Sequence, residues 1–203
     1  WGTCMGFQWL CLASTQGKLQ LDPTDGTQMD AENYSIPLDF RQNALSESKL
    51  FNIAPQNIID ILSTQNVTMN NHHYGVWTSH FESDTDLMNN FNIISTNKDR
   101  SGKEFVSTIE HPKHPIFGSQ WHPEKNTFEW GLNADGTPKE AINHSPDAVA
   151  AAQYMANFFV QQARMNTHKF ANTADEKAAL IWNYQCTYTD YYSDFVEKYY
   201  FPK

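Results

Sequence analysis

A chain of 203 residues, 40% apolar and 14% aromatic, has enough material for one domain with a sizeable core. Its formal net charge is −9 and it carries no Lys/Arg cluster, which speaks against a nucleic-acid partner, since a phosphate backbone repels an acidic surface. The longest apolar stretches, such as 148–160, are interrupted by Gln, Tyr and Asn and fall short of the roughly 20 residues that span a bilayer, so no membrane partner is expected.

The first six residues are the most informative. Gly2-Thr3-Cys4-Met5-Gly6 reads as a cysteine on a sharp turn between two glycines, ahead of an apolar run. A turn of this kind from strand into helix lifts a nucleophile clear of the backbone. The glycines are expected to permit the tight turn and a close helix–strand approach. A helix should follow over 5–14, with Phe7, Leu10 and Cys11 on one stripe. Residues 18–21 read as a short strand, and 22–30, full of Asp, Thr, Gly and Pro, as a loop. Residues 35–40 could form an edge strand, because Pro37 would spoil a central one. A helix is predicted over 55–62, with Pro55 in its first turn, and a short one over 84–90. Three strand-like runs follow, at 91–96, 104–109 and 115–120, the first two joined as a hairpin. Residues 130–140 form a loop. Ser145-Pro146-Asp147 then starts a helix to about Met165, with Val149, Ala152, Met155, Ala156, Phe159 and Val160 on its buried face. The aromatic tail from Tyr188 is expected to be pinned onto the body.

The three cysteines, Cys4, Cys11 and Cys186, match neither a disulfide framework nor a zinc pattern. Cys11 and Cys186 read as small packed hydrophobes. Asn33, Asn66 and Asn143 head glycosylation sequons, which are compatible with a secretory route. No signal peptide is visible, but the chain starts so abruptly before its cysteine turn that this decides nothing.

Gln120-Trp121-His122-Pro123-Glu124 lies at the end of a predicted strand, where the catalytic groups of open α/β sheets collect. His122 is suited to take a proton from a thiol and return it to a leaving amine. Glu124 can reach around Pro123 to the other ring nitrogen and steady the imidazolium. Cys4, at a helix N-terminus and near such a histidine, fits the nucleophile. The Met5 backbone N–H is then the natural oxyanion donor.

These two motifs resemble the signatures of class I glutamine amidotransferase-like hydrolases, and within them the gamma-glutamyl hydrolase family. The likeness covers nearly the whole chain. It includes Ile36-Pro-Leu-Asp-Phe40, Asn71-His-His-Tyr74, Phe91 to Asn97, Phe105 to Glu110, the extension to Trp130, Phe158-Phe-Val160 and Ala163-Arg164. The resemblance implies an α/β, flavodoxin-like sheet with helices on both faces. It implies one catalytic domain over 1–203 that lacks the family's N-terminal strands and the loop bearing a second oxyanion donor. It also implies cleavage of γ-glutamyl amide bonds in poly-γ-glutamates, such as folate conjugates, through a thioester. Cys4 would be the nucleophile, His122 the base and Glu124 its orienter, with His72 near the substrate. His111, His114 and His144 read as ordinary surface or loop residues. No metal or organic cofactor is implied. A lysosomal or secreted location, a homodimer and a separate N-terminal piece of the same fold are compatible with the family. Two rivals stay open: a glutaminase domain that delivers ammonia to a synthase, and a hydrolase-fold element without enzymatic activity. The Trp130 extension favours the hydrolase over the glutaminase.

Overall fold

The computed structural model describes residues 1–19, 21, 28–189 and 195–202. The chain runs from β1 (Gly2–Thr3) through Cys4 into α1 (Met5–Ser14). β2 (Ala31–Ile36), β3 (Asp39–Phe40), α2 (Ala44–Glu47), α3 (Gln56–Thr64) and β4 (Thr68–His72) follow. Next come α4 (Thr78–Ser83), α5 (Thr85–Asn90), β5 (Asn92–Lys98), β6 (Glu104–Glu110), β7 (Phe117–Ser119) and α6 (Lys125–Phe128). The long α7 (Pro146–Arg164), α8 (Thr173–Ala178), β8 (Cys186–Tyr188) and β9 (Glu197–Tyr199) complete the order.

Five strands form the main sheet in the order β1-β7-β6-β5-β3. Among the described residues, β1 and β7 are the one parallel pair of this sheet, and the other neighbours are antiparallel. Adjacent residues of β7 point to opposite faces, as strand geometry requires. Phe117 enters a core built from α3, α7, Leu38, Leu50, Ile94 and Trp121. Gly118 turns the other way, toward Phe7 and Ile109, in a second core that also holds Cys11, Phe81 and Leu87. Helices therefore cover both faces of a mixed sheet, which is the predicted α/β class.

Several sequence expectations need correction. Among the described residues, Lys18, Leu19 and Leu21 are in no strand; Gln20 and most of the loop 22–30 lie outside them. The edge strand over 35–40 is two strands in two sheets. β2 pairs with β4, and β3 pairs with β5 at the edge of the main sheet. The break falls at Pro37-Leu38: proline has no N–H for a ladder, and the Leu38 N–H turns to Leu62 O at 2.7 Å. Pro55 sits at the N-cap of α3 rather than inside its first turn.

Ser145 caps α7 as predicted, its hydroxyl accepting from the Ala148 N–H at 3.2 Å. The buried stripe, however, is Ala148, Ala151, Ala152, Met155 and Phe158. Of the expected face, Ala152 and Met155 are buried, while Ala156, Phe159 and Val160 are exposed. The Phe158 ring stands edge-on to Phe117 at 4.9 Å, and Phe159 instead meets Trp1 at 5.9 Å. The tail is less covered than expected. β8 and β9 pair with each other, and Tyr188, Phe195, Tyr200 and Phe201 are each more than half exposed. Cys186, in that hairpin, is only partly buried, with its sulfur 3.5 Å from Glu197 Oε2. Cys11 is fully buried, and burial pushes its thiol up to about 12.

Candidate active site

The site follows from one pair of strands. β1 and β7 lie in parallel register, Gly2 beside Gly118 and Thr3 beside Ser119. The residues that follow them, Cys4 and Gln120, therefore emerge together at the strands' carboxyl ends. The Cys4 N–H donates to Ser119 O at 2.8 Å and anchors the turn. Cys4 itself has φ 51° and ψ −104° and caps α1. Such a conformation is costly for an L residue and persists where the surroundings enforce it. It points the thiol out of the turn, at a helix end whose first amides have no acceptor within the helix.

Gly2 carries the close approach. A Cβ there would stand 2.5 Å from the backbone C and O of Gly6. Gly6 does not need its own missing side chain, because a Cβ there would meet nothing within 4 Å. This corrects the expectation that both glycines permit the turn. Met5 occupies the first position of α1, which leaves its N–H beside Cys4 and free of an intrahelical acceptor.

Trp121 pins the second motif. Its ring is buried and its Nε1–H donates to Thr108 Oγ1 at 3.2 Å. The backbone N–H of His122 is held by Met69 O at 2.8 Å. His122 Nδ1 lies 2.6 Å from Glu124 Oε1, and the ring stands near enough to the Cys4 side chain for the two to influence each other's charge. With Nδ1 engaged, Nε2 is the nitrogen left for sulfur. Burial disfavours the imidazolium, but the polar Cys4 side chain and the bond and charge of Glu124 outweigh it and raise His122 to about 9. Burial likewise opposes the Glu124 carboxylate, and the His122 bond and charge overcome that, so Glu124 is held below its ordinary range.

The linkage has a definite sign. His122 is raised, so its contribution to stability is complete below its ordinary 6.5 and is lost as pH climbs toward 9. Glu124 is lowered, so its contribution is present above its ordinary 4.5 and fades on acidification. The pair stabilises most between those values. Glu124→Gln should reduce, though not abolish because Cys4 remains, the fall in melting temperature between neutral and mildly alkaline pH, and a melting series on both proteins checks it. An unchanged alkaline slope would mean that the pair does not set His122.

His72 ends β4, buried, with Nε2 3.2 Å from Asn70 Oδ1 and its ring edge-on to Phe105 at 5.1 Å. Burial is the main force pushing it down to about 3, and the nearby His122 charge adds to it, so it is neutral at ordinary pH. Its neighbour His73 points away, with Nε2 3.0 Å from Glu32 Oε2. Of the histidines in this stretch, His72 is thus the one turned toward the interior beside His122.

Three arrangements were not foreseen in the sequence. Gln8 and Gln120, both buried, stand next to Cys4 and are linked to each other at 3.4 Å. Gln8 lies four residues after Cys4, a spacing that shares a helix face and was available as a signal. Lys125 and Asn71 both bond the partly buried Glu140 carboxylate, which ties the 130–140 loop beside Glu124. His144 is not an ordinary loop residue: it stacks on Trp130 at 3.7 Å and 14°, and its Nδ1 meets Asn126 O at 2.8 Å. An apolar cavity of about 280 Å³ adjoins Glu124, lined also by Trp1, Thr3, Phe128 and Phe159. Among the described residues, no group of three or more His, Cys, Asp or Glu side chains is placed to hold a metal.

The sequons differ in access. Asn33 and Asn66 are exposed. Asn143 uses both ends of its amide, donating to Asn66 O and accepting from the Ser145 N–H, each at 2.9 Å. No helix among the described residues is long and apolar enough to cross a membrane.

Residues 1–133 match the glutamine amidotransferase class-I family. The chain is 43% identical to gamma-glutamyl hydrolase B of Dictyostelium discoideum over 190 residues, covering 93% of this chain and 51% of that protein. It is 38% identical to human gamma-glutamyl hydrolase over 202 residues, covering 99% of this chain and 59% of the relative. Gamma-glutamyl hydrolase 2 of Arabidopsis thaliana is 36% identical over 191 residues, 93% of this chain and 50% of its own length. The chain thus spans between half and three fifths of the relatives it matches. With the family match over most of its length and a Cys4–His122–Glu124 chain at its sheet ends, the protein belongs to the class-I glutamine amidotransferase family.

Proposed function

We propose that this chain carries the catalytic residues of a cysteine hydrolase that cleaves γ-glutamyl amide bonds of poly-γ-glutamates such as folate conjugates. The observation that supports it most is the placement of His122 between Cys4 and Glu124, with Nδ1 2.6 Å from Glu124 Oε1. The names of the relatives supply the bond class. Cys4 as thiolate attacks the γ-carbonyl carbon, and the carbonyl electrons move to an oxygen that the Met5 N–H accommodates. The C–N bond then breaks. His122 gives its proton to the departing amine, and a γ-glutamyl thioester remains. Neutral His122 next takes a proton from water, the hydroxide adds to the thioester, and the thiolate leaves with the free γ-carboxylate behind it. Glu124 keeps the imidazolium stable through both halves. His72, neutral and buried beside His122, serves substrate placement rather than proton transfer. No cofactor takes part in this scheme.

The net charge of −9 fits a small-molecule substrate better than a nucleic acid. A lysosomal or secreted location accords with the exposed sequons at Asn33 and Asn66, whereas Asn143, with its amide in use, is the weakest glycan acceptor. The substrate assignment is tested by incubating the protein with pteroyl-polyglutamate and, separately, with glutamine. Shortening of the polyglutamate chain is expected. Ammonia release from glutamine without shortening would overturn the hydrolase reading in favour of a glutaminase.

A further inference from the structure

Gln120 touches the nucleophile but has no part in the Cys4–His122–Glu124 chain. It is fully buried, directly after β7, and its backbone N–H is fixed by Ser107 O at 2.8 Å. Its side-chain Nε2 lies 3.7 Å from Cys4 Sγ. Which end of a carboxamide faces the sulfur is decided by the neighbours. Tyr74 O can only accept, so the Gln8 atom 2.8 Å away from it must be the NH₂ group. That same nitrogen is 3.4 Å from the Gln120 side chain, so the Gln120 end facing it is the oxygen. The Gln120 NH₂ group is therefore left pointing at sulfur. Gly75 keeps the space for this arrangement: a Cβ there would stand 3.2 Å from Gln120 Oε1.

We propose that Gln120 is a positioning residue that holds the Cys4 sulfur in its charged form through an Nε2–H···Sγ hydrogen bond, with Gln8 locking the direction of the amide. The proposal rests on Cys4 being the nucleophile. A donor aimed at sulfur favours thiolate over thiol, because a charge-assisted hydrogen bond is the stronger one. The bond weakens while the sulfur is acylated and re-forms as the thioester collapses, so it assists departure of the thiolate as well. Among the described residues, the titratable groups that act on this sulfur are His122 and, behind it, Glu124, with neutral His72 on β4 near His122. None of them fixes the orientation of the Gln120 amide.

Alkylation of Cys4 by iodoacetamide as a function of pH tests this without any substrate. It is followed on the full chain by peptide mass, which separates Cys4 from Cys11 and Cys186. Gln120→Leu should move the midpoint of the alkylation profile up by about one pH unit, a tenfold change in thiolate fraction. Gln120→Glu keeps the shape but places an anion near sulfur, and should move it further. Gln8→Leu should move it less than Gln120→Leu, because the donor is present but no longer held. An unchanged midpoint in folded Gln120→Glu, or a downward move in Gln120→Leu, overturns the assignment. Should Gln120→Leu not fold, the isosteric Gln120→Glu decides alone. A wild-type Cys4 that reacts no faster than Cys186 at neutral pH would defeat the nucleophile reading itself, whereas a reactive wild type with unresponsive variants defeats only the role of Gln120.

Discussion

Cys4→Ala is expected to lower turnover of a γ-glutamyl substrate by about 10⁴-fold or more, while leaving the protein folded. The loss is large because the substitution removes the atom that forms the covalent bond. What survives is the part of catalysis supplied by binding and the oxyanion donor. The fold should survive because the backbone demand at this position is the same for Cys and Ala. Both must adopt φ 51° and ψ −104°, so the strain is neither added nor relieved. The lost contacts are few: the Gln120 amide at 3.7 Å and the His122 ring. Stability should stay within about 1 kcal/mol of the parent, the usual range for a partly exposed truncation. His122→Asn should cost a similar factor, and combining the two should add little, since nucleophile and base act as a unit. Turnover assays paired with thermal melts check all three variants. Retained turnover in Cys4→Ala would remove the thioester mechanism.

This site was legible in the sequence because each half of it is local. Gly2 to Gly6 places the proposed nucleophile, a helix N-terminus and the proposed oxyanion donor within five residues. His122 and Glu124 are two residues apart, close enough for their side chains to meet around Pro123. Joining the halves needed only the rule that parallel neighbours deliver their loops to the same sheet end. The choice between His72 and His73 as the inward residue was harder from composition, because consecutive residues of β4 are buried; the structure buries His72 and leaves His73 partly exposed beside Glu32. What the sequence hid was tertiary. Periodicity along α7 accepts a stripe through Phe159 almost as well as one through Phe158, since the two rings are adjacent. Only the position of Phe117 on β7 selects Phe158. The Gln8–Gln120 pair was invisible for a related reason. Polar residues in an apolar setting read as surface until a partner 112 residues away is known to satisfy them. The aromatic tail misled because aromatic content signals burial on average, while Tyr188, Phe195, Tyr200 and Phe201 of this segment stay more than half exposed.

Gly2→Ala and Gly6→Ala should have effects of opposite sign, although the two glycines frame the cysteine symmetrically in sequence. At Gly2 the added methyl would lie 2.5 Å from two backbone atoms of Gly6 and 2.8 Å from the Phe7 nitrogen. Backbone cannot rotate away as a side chain can. Nor can the first turn of α1 lift freely, because Phe7 is fully buried and packs over Gly118, whose own Cβ would stand 3.1 Å from its ring. Relief therefore means prising α1 off β1 and stretching the Cys4 N–H bond to Ser119 O. Overpacking of this kind costs about 1–3 kcal/mol, occasionally more. The displacement also moves sulfur relative to His122, and a shift of about 1 Å at a reacting atom can cost roughly 100-fold in rate. Gly2→Ala should thus lower both melting temperature and turnover. Gly6→Ala meets open space and replaces the weakest non-proline helix former by the strongest, a gain of up to about 1 kcal/mol in a helix interior and less in a first turn. Its melting temperature should hold or rise. Equal destabilisation by both substitutions would show that the strand–helix contact at Gly2 is not what sets the turn, and that Cys4 is aimed by something other than the closeness of β1 to α1.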